Sequence, residues 1–223
     1  MTPPASRREH AAHPVRQARG QETLERLLAA AEAVLEEGGL DAATVPAIAE
    51  RAGVSVGNVY KRFPDKDALL RAVYVRFFVR TVEQNRAALD PARWQGVAVH
   101  AIIRALVSGM VRGYVLHRAL LRALLLYAET HEDAEFRRRA EAMRTEAFRA
   151  IARLLLARGE EIGHAEPAEA IEFALFVVGL ALRGMLLPER RQLPYAGSAD
   201  RFAEELTAMV VAYLGVKERG KNR

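Results

Sequence analysis

Residues Thr44 to Lys66 read TVPAIAERAGVSVGNVYKRFPDK, and this stretch restricts the possible folds more than any other. Apolar Val45, Ile48, Ala49 and Ala52 recur at i, i+3 and i+4 spacing behind Thr44, a residue whose hydroxyl can cap a helix. Gly53 follows where the chain must turn, because glycine enters positive φ at no steric cost. Ser55 then caps a second short segment that carries Val59 and Phe63 on one side. An isolated helix shorter than about 12 residues is marginal in water, so both segments must pack on neighbours. The second shows Asn58, Tyr60, Lys61 and Arg62 to solvent. Two short helices joined at a glycine turn in this way fit the helix-turn-helix, which lays its second helix in the DNA major groove.

The run resembles the N-terminal signature of the tetracycline-repressor (TetR) type regulators, an ATVxxIAxxAGVSxGxxYxxFxxKxxLL pattern behind an amphipathic helix. The match includes Thr44, Ile48, Ala49, Ala52, Gly53, Val54, Ser55, Gly57, Tyr60, Phe63, Lys66, Leu69 and Leu70. Two positions depart from it. Pro46 stands where a polar or charged residue is common, but the first turn of a helix tolerates proline. Asn58 replaces the usual Thr or Ser and keeps a hydrogen-bonding side chain. The resemblance covers roughly residues 20 to 80, and beyond them only the layout of helices agrees.

Charge is placed where such a reading needs it. The 223 residues carry a formal charge of +5. Residues 1–20 hold four arginines against Glu9, and the last eight hold Lys217, Arg219, Lys221 and Arg223 against Glu218, leaving the body near neutral. Attraction to phosphate should come from these ends and from Lys61, Arg62 and Lys66. The chain has no cysteine, which excludes disulfides and thiolate metal sites and fits a reducing cytoplasm. No continuous apolar core in the first thirty residues marks a secretory signal. The uninterrupted apolar run Phe173–Leu182 is about half of what a bilayer span needs, so no membrane role is expected.

The periodicity predicts an all-α fold of about nine helices. Residues 1–20, with Pro3, Pro4 and Pro14, read as a disordered basic arm. A helix over about 22–37 ends at Gly38-Gly39. Two further helices complete a three-helix, helix-turn-helix DNA-binding domain over 21–66. A long helix from Lys66 to about Leu89 opens a helical effector-binding and dimerisation domain over 67–217, followed by a basic tail at 218–223. Within it, helices are expected near 93–115, 118–130, 134–158, 167–187 and 199–216, separated by breakers that include Gly159, Gly163, Pro167, Pro188 and Pro194.

The resemblance implies roles for individual residues. Val56, Gly57 and Lys61 lie where the second helix should meet base edges, and a lysine can donate to guanine O6 and N7. Thr44, Ser55, Asn58, Tyr60 and Lys66 lie where the family contacts phosphates, and Arg62 fits either class. Tyr60 packed on the first helix and Lys61 merely solvated are the plainer alternatives.

Pro167 to Leu187 is apolar on nearly every side and must be covered on several faces. A second subunit is the natural cover for one of them. The expected interface, a two-fold contact of two helices from each subunit, uses Ala174, Val178, Gly179 and Leu182 with Phe202, Leu206, Met209, Val210 and Tyr213. Polar residues on apolar ground, His100, Arg104, Ser108, Tyr114, His117, Tyr127 and Arg183, are candidates for an effector pocket and fit ordinary helix packing equally.

Neither a cofactor nor a catalytic site is expected. Glu161-Ile-Gly-His164 is a single E-x-x-H, whereas di-iron bundles use two, and no metal site is read from it. Walker-type and G-x-G-x-x-G patterns are absent. The expected partners are therefore double-stranded DNA, a second copy of the chain and a small-molecule effector. By resemblance the protein is a repressor released from a pseudo-palindromic operator; the alternative is a helix-turn-helix regulator with no small-molecule switch.

Overall fold

The computed structural model describes residues 6–186 and 197–216, with side chains from Arg19 onward, and every regular element among them is helical. Nine α-helices follow in order: α1 Ser6–Ala42, α2 Val45–Ala52, α3 Val56–Tyr60, α4 Lys66–Asn85, α5 Val99–Leu116, α6 Arg118–Thr130, α7 Ala134–Leu156, α8 Pro167–Leu186 and α9 Ala199–Tyr213. The basic tail at 218–223, the first five residues, and Pro188 and Pro194 lie outside the described residues.

Local chemistry sets most of these boundaries. Gly39 leaves helical geometry at φ 68° and ψ −161°, where α1 was expected to stop. The helix starts earlier than the sequence implied, however: residues 6–20 are helical rather than an irregular arm. Between Ala11 and Arg19 the chain is mostly Ala, Arg and Gln, good helix formers, while Pro14 opposes the helix. The expected helix at 93–115 begins only at Val99, because Gly96 takes φ 74° and separates it from a short 3-10 turn at Pro91–Trp94. Helix α9 stops at Tyr213 for the same reason, with Gly215 at φ 58°.

The chain divides into two compact units, Met1–Arg76 and Phe77–Arg223, with the boundary inside α4. It falls ten residues beyond the expected 66/67 position because Leu69, Leu70, Val73 and Tyr74 of α4 are buried in the first unit. Leu27, Ala31 and Leu35 of α1, Ile48 of α2 and Val59 of α3 are buried in the same unit. Arg76 adds ion pairs to Glu32 at 2.7 Å and Glu25 at 3.1 Å, holding α4 to α1.

In the second unit α5 packs on α9 and α8, and α7 packs on α8. Val99, Ile102, Ile103, Val107 and Val111 give α5 a buried stripe against Ile171, Val178 and Leu182 of α8 and Leu206 and Val210 of α9. By length and composition α5 alone among the described helices is apolar enough to cross a bilayer, yet this stripe is covered by protein. Gly163 ties the α7–α8 connection to the end of α9: its N–H donates to the carbonyls of Leu214 and Gly215 at 3.1 and 3.0 Å. A Cβ at Gly163 would come within 2.6 Å of the Gly215 carbonyl, so only glycine fits.

Candidate nucleic-acid interface and effector site

Each of the two short helices is held by a cap at its start and a core residue beneath it. Thr44 accepts from the Ala47 N–H at 3.3 Å and opens α2, with Pro46 in the first turn. Gly53, at φ 65° and ψ 38°, ends α2 in left-handed geometry and donates back to Ala49 and Glu50. Replacing it by alanine forces a Cβ into that conformation, so Gly53→Ala should cost about 1–2 kcal/mol, read as a lower thermal midpoint in circular dichroism. Ser55 accepts from the Asn58 N–H at 3.3 Å and opens α3. Val59 and Phe63 are buried and fix the rotation of α3 about its axis.

With that rotation fixed, Val56, Gly57, Asn58, Tyr60, Lys61 and Arg62 all face solvent. Tyr60 is 51% exposed, so half of its side chain is open to solvent. Thr44 and Ser55 are exposed as well, each with its hydroxyl already engaged at a cap. Lys66 differs from the rest. It is half-buried, and its Nζ donates to the Leu40 carbonyl at 3.3 Å, joining the start of α4 to the end of α1. Beside this surface, exposed Arg51 donates to Glu37 at 2.6 Å, a hydrogen bond that holds the carboxyl below and the guanidinium above their usual ranges. So exposed a pair adds little stability.

The residues expected to form one effector pocket do not come together as a set. His117, at the α5–α6 junction, lies edge-on to Phe77 of α4 with ring centroids 5.7 Å apart. Tyr127 packs with His131 and Phe136 at the far end of α6. Arg104 is exposed and Ser108 half-buried. His100 buries its Nδ1 without a hydrogen-bond partner. Tyr114 lies within electrostatic reach of Arg183 and of Arg144 of α7, and the two arginines gather at Glu129 of α6. Glu129 Oε1 accepts from Arg183 and lies 3.9 Å from Arg144 Nη1. Burial pushes the Tyr114 phenol above its ordinary pKa, while the charges of Arg144 and Arg183 oppose that rise. Arg144 escaped the sequence reading among the many charges of α7. The signal was there: it lies on the same stripe as buried Phe136, Ala140, Ile151 and Leu155.

Burial within the protomer divides the residues expected at the dimer face. Ala174, Val178 and Leu182 of α8 and Leu206 and Val210 of α9 are buried within their own subunit, packed on α5, and Gly179 faces Phe148 of α7. Phe202 is half-buried beside them; only Met209 and Tyr213 of the expected set are exposed. Small side chains on α8 mark where α5 and α7 approach, and the large ones mark the open face. Phe173, Phe176 and Leu180, at i, i+3 and i+7, are 53%, 60% and 53% exposed. The Phe173 ring lies 5.5 Å from that of Tyr213, so α8 and α9 share one continuous apolar surface.

The E-x-x-H residues serve the scaffold. Glu161 pairs with Arg158 and accepts from the Val99 N–H at the start of α5, while the His164 ring packs on Tyr213.

Residues 27–73, which contain the whole helix-turn-helix and its supporting α1 and α4 core, match the family described as bacterial regulatory proteins, tetR family. The N-terminal unit belongs to the tetR family. The HTH-type transcriptional repressor KstR of Rhodococcus jostii (strain RHA1) is 33% identical over 115 residues, 52% of this chain and 53% of that repressor. KstR of Mycolicibacterium smegmatis is 41% identical over 70 residues, 31% of this chain and 34% of the other. The chain thus spans about half the length of one of these relatives and a third of the other. Solved structures extend the likeness of fold to most of the chain. A tetR-family regulatory protein from Rhodococcus RHA1 superposes with a TM-score of 0.66 at 19% identity, covering 88% of this chain and 98% of its own. The fatty acid degradation regulator FadR of Bacillus halodurans gives 0.63 at 15%, covering 86% and 99%.

Proposed function

We propose that this tetR-family protein is a ligand-responsive transcriptional regulator of the cytoplasm, a homodimeric repressor released from a pseudo-palindromic operator by a small molecule. The observation that carries the reading is α3, anchored by Val59 and presenting Val56, Gly57, Tyr60, Lys61 and Arg62 to solvent. Lys61 and the backbone at Gly57 read base edges in the major groove; Thr44, Ser55, Asn58, Tyr60 and Lys66 position the phosphates. The repressor activity named for the two KstR relatives supports the direction of control.

Two copies joined through the exposed α8–α9 face set their α3 helices about 34 Å apart, one turn of DNA. An effector relieves repression only if it binds the DNA-incompetent arrangement better, and about 2–3 kcal/mol of coupling releases the operator by tens of fold.

The test is fluorescence anisotropy with the DNA upstream of the protein's own gene, in excess non-specific competitor at physiological salt. Tight binding that survives competitor is the expected result; binding that competitor removes from every fragment of a genome-wide selection sinks the reading. Removing residues 1–20 should lower the slope of log K against log salt by about 2–3, given roughly 0.9 per neutralised phosphate and the net charge of this segment. An unchanged slope would make the segment a bystander.

A further inference from the structure

We infer that Tyr114, Arg144 and Arg183 form the head-group end of an effector site for a monoanionic acid with an apolar body. The inference rests on the ligand-responsive reading above and names the chemical class of the ligand. Four helices bring these groups together: α5 supplies Tyr114, α6 Glu129, α7 Arg144 and α8 Arg183. Two guanidinium groups share one carboxylate, which leaves an uncompensated positive charge. The sharing is unequal. Arg183 donates to Glu129, whereas Arg144 lies 3.9 Å away, beyond hydrogen-bond length, and makes no hydrogen bond to any described residue. The Arg144 side chain is only 22% exposed, so its five donors are partly shielded from water as well. The Tyr114 hydroxyl likewise has no partner among the described residues, and burial keeps it protonated and able to donate. A second carboxylate would balance the charge and accept from Arg144 and Tyr114 at once, the pairing for which a guanidinium fork is shaped.

The apolar body follows from what shares these helix faces. Leu106 and Met110 precede Tyr114 on the same stripe of α5, and Phe148 follows Arg144 by one turn of α7. All three pack against the core yet stay half-buried. Met110 is unbranched and adapts its shape to what it touches.

Isothermal titration of the full chain with octanoate, octanol, octylamine and inorganic phosphate tests this without DNA. Octanoate should bind about 10-fold or more tighter than octanol, the worth of one charge-assisted hydrogen bond. Octylamine and phosphate should be weaker still. Arg144→Gln and Tyr114→Phe should erase most of the preference for octanoate. Glu129→Gln frees both guanidinium groups and should strengthen octanoate binding, a response that a purely structural ion pair would not give. Thermal unfolding of each variant confirms that it is folded, and Glu129→Gln supplies the decisive comparison if Arg144→Gln is not. Octanol or phosphate binding as tightly as octanoate, or weaker octanoate binding by folded Glu129→Gln, overturns the proposal. DNA binding is measured separately by anisotropy, so a protein that fails there but discriminates octanoate keeps this site and loses the regulator reading.

Discussion

Phe176→Glu combined with Leu180→Glu should convert the protein to a monomer and abolish operator binding together. Both side chains are more than half exposed in the protomer, so neither replacement disturbs the subunit core, and helicity should be unchanged. In the proposed dimer each position occurs twice about the two-fold axis. Burying a Phe or Leu contributes about 1.5–3 kcal/mol per side chain, and that gain is lost four times over. Four carboxylates would also face one another at an apolar contact, where an unpaired charge is costly to desolvate. A monomer keeps one α3 and loses the geometry that joins two half-sites. Sedimentation equilibrium at micromolar protein gives the answer, with the Ala174→Ser variant as a contrast, since Ala174 is buried within the subunit and should affect stability rather than assembly. A double-glutamate protein that sediments as a dimer would show that subunits meet elsewhere.

Tyr60→Ala with Lys61→Ala should remove sequence-specific binding while leaving the dimer and its melting behaviour intact. Tyr60 projects from α3 and Lys61 caps its end, and neither belongs to the apolar core that Val59 and Phe63 complete. A base contact is worth about 1–3 kcal/mol of discrimination. With a lost phosphate contact beside it, the pair amounts to about 2–4 kcal/mol, roughly a 30- to 900-fold weaker operator complex. Residual non-specific binding should persist at low salt with a slope smaller by about 1, one lysine having been removed. Operator affinity within a factor of two of the parent would displace α3 from its assigned role. Val59→Ala provides the opposite pattern: its side chain is 1% exposed, so it should lower stability first and DNA binding only as a consequence.

The helix-turn-helix was legible because its signals are local. Thr44, Gly53 and Ser55 each act within four residues of themselves, through a cap or a positive φ, and Val59 and Phe63 set which side of α3 faces inward. The presence of α4 to α9 was legible from periodicity as well, although Gly96 and Gly215 moved two boundaries inward. The faces of α8 were not. A helix apolar all round has no phase in its pattern, so nothing in the sequence distinguishes the side that meets α5 from the side left open. Reading small residues as the contact with a partner was reasonable, but inside this subunit they admit α5 and α7.

The proposed effector cluster shows the same division. Tyr114 and Arg183 stood out as polar residues on apolar helices, whereas Arg144 was one arginine among many on α7. Its distinction arises only when Glu129 and Arg183 arrive from other helices, 15 and 39 residues away in the chain. The sequence by itself therefore determined the all-α class, the DNA-reading motif and the residues on its outer face, since caps, turns and short-range periodicity are fixed by neighbours in the chain. The tertiary structure decided which apolar face stays open for a partner and which charges meet, because those depend on the rotation and packing of helices that no local rule specifies.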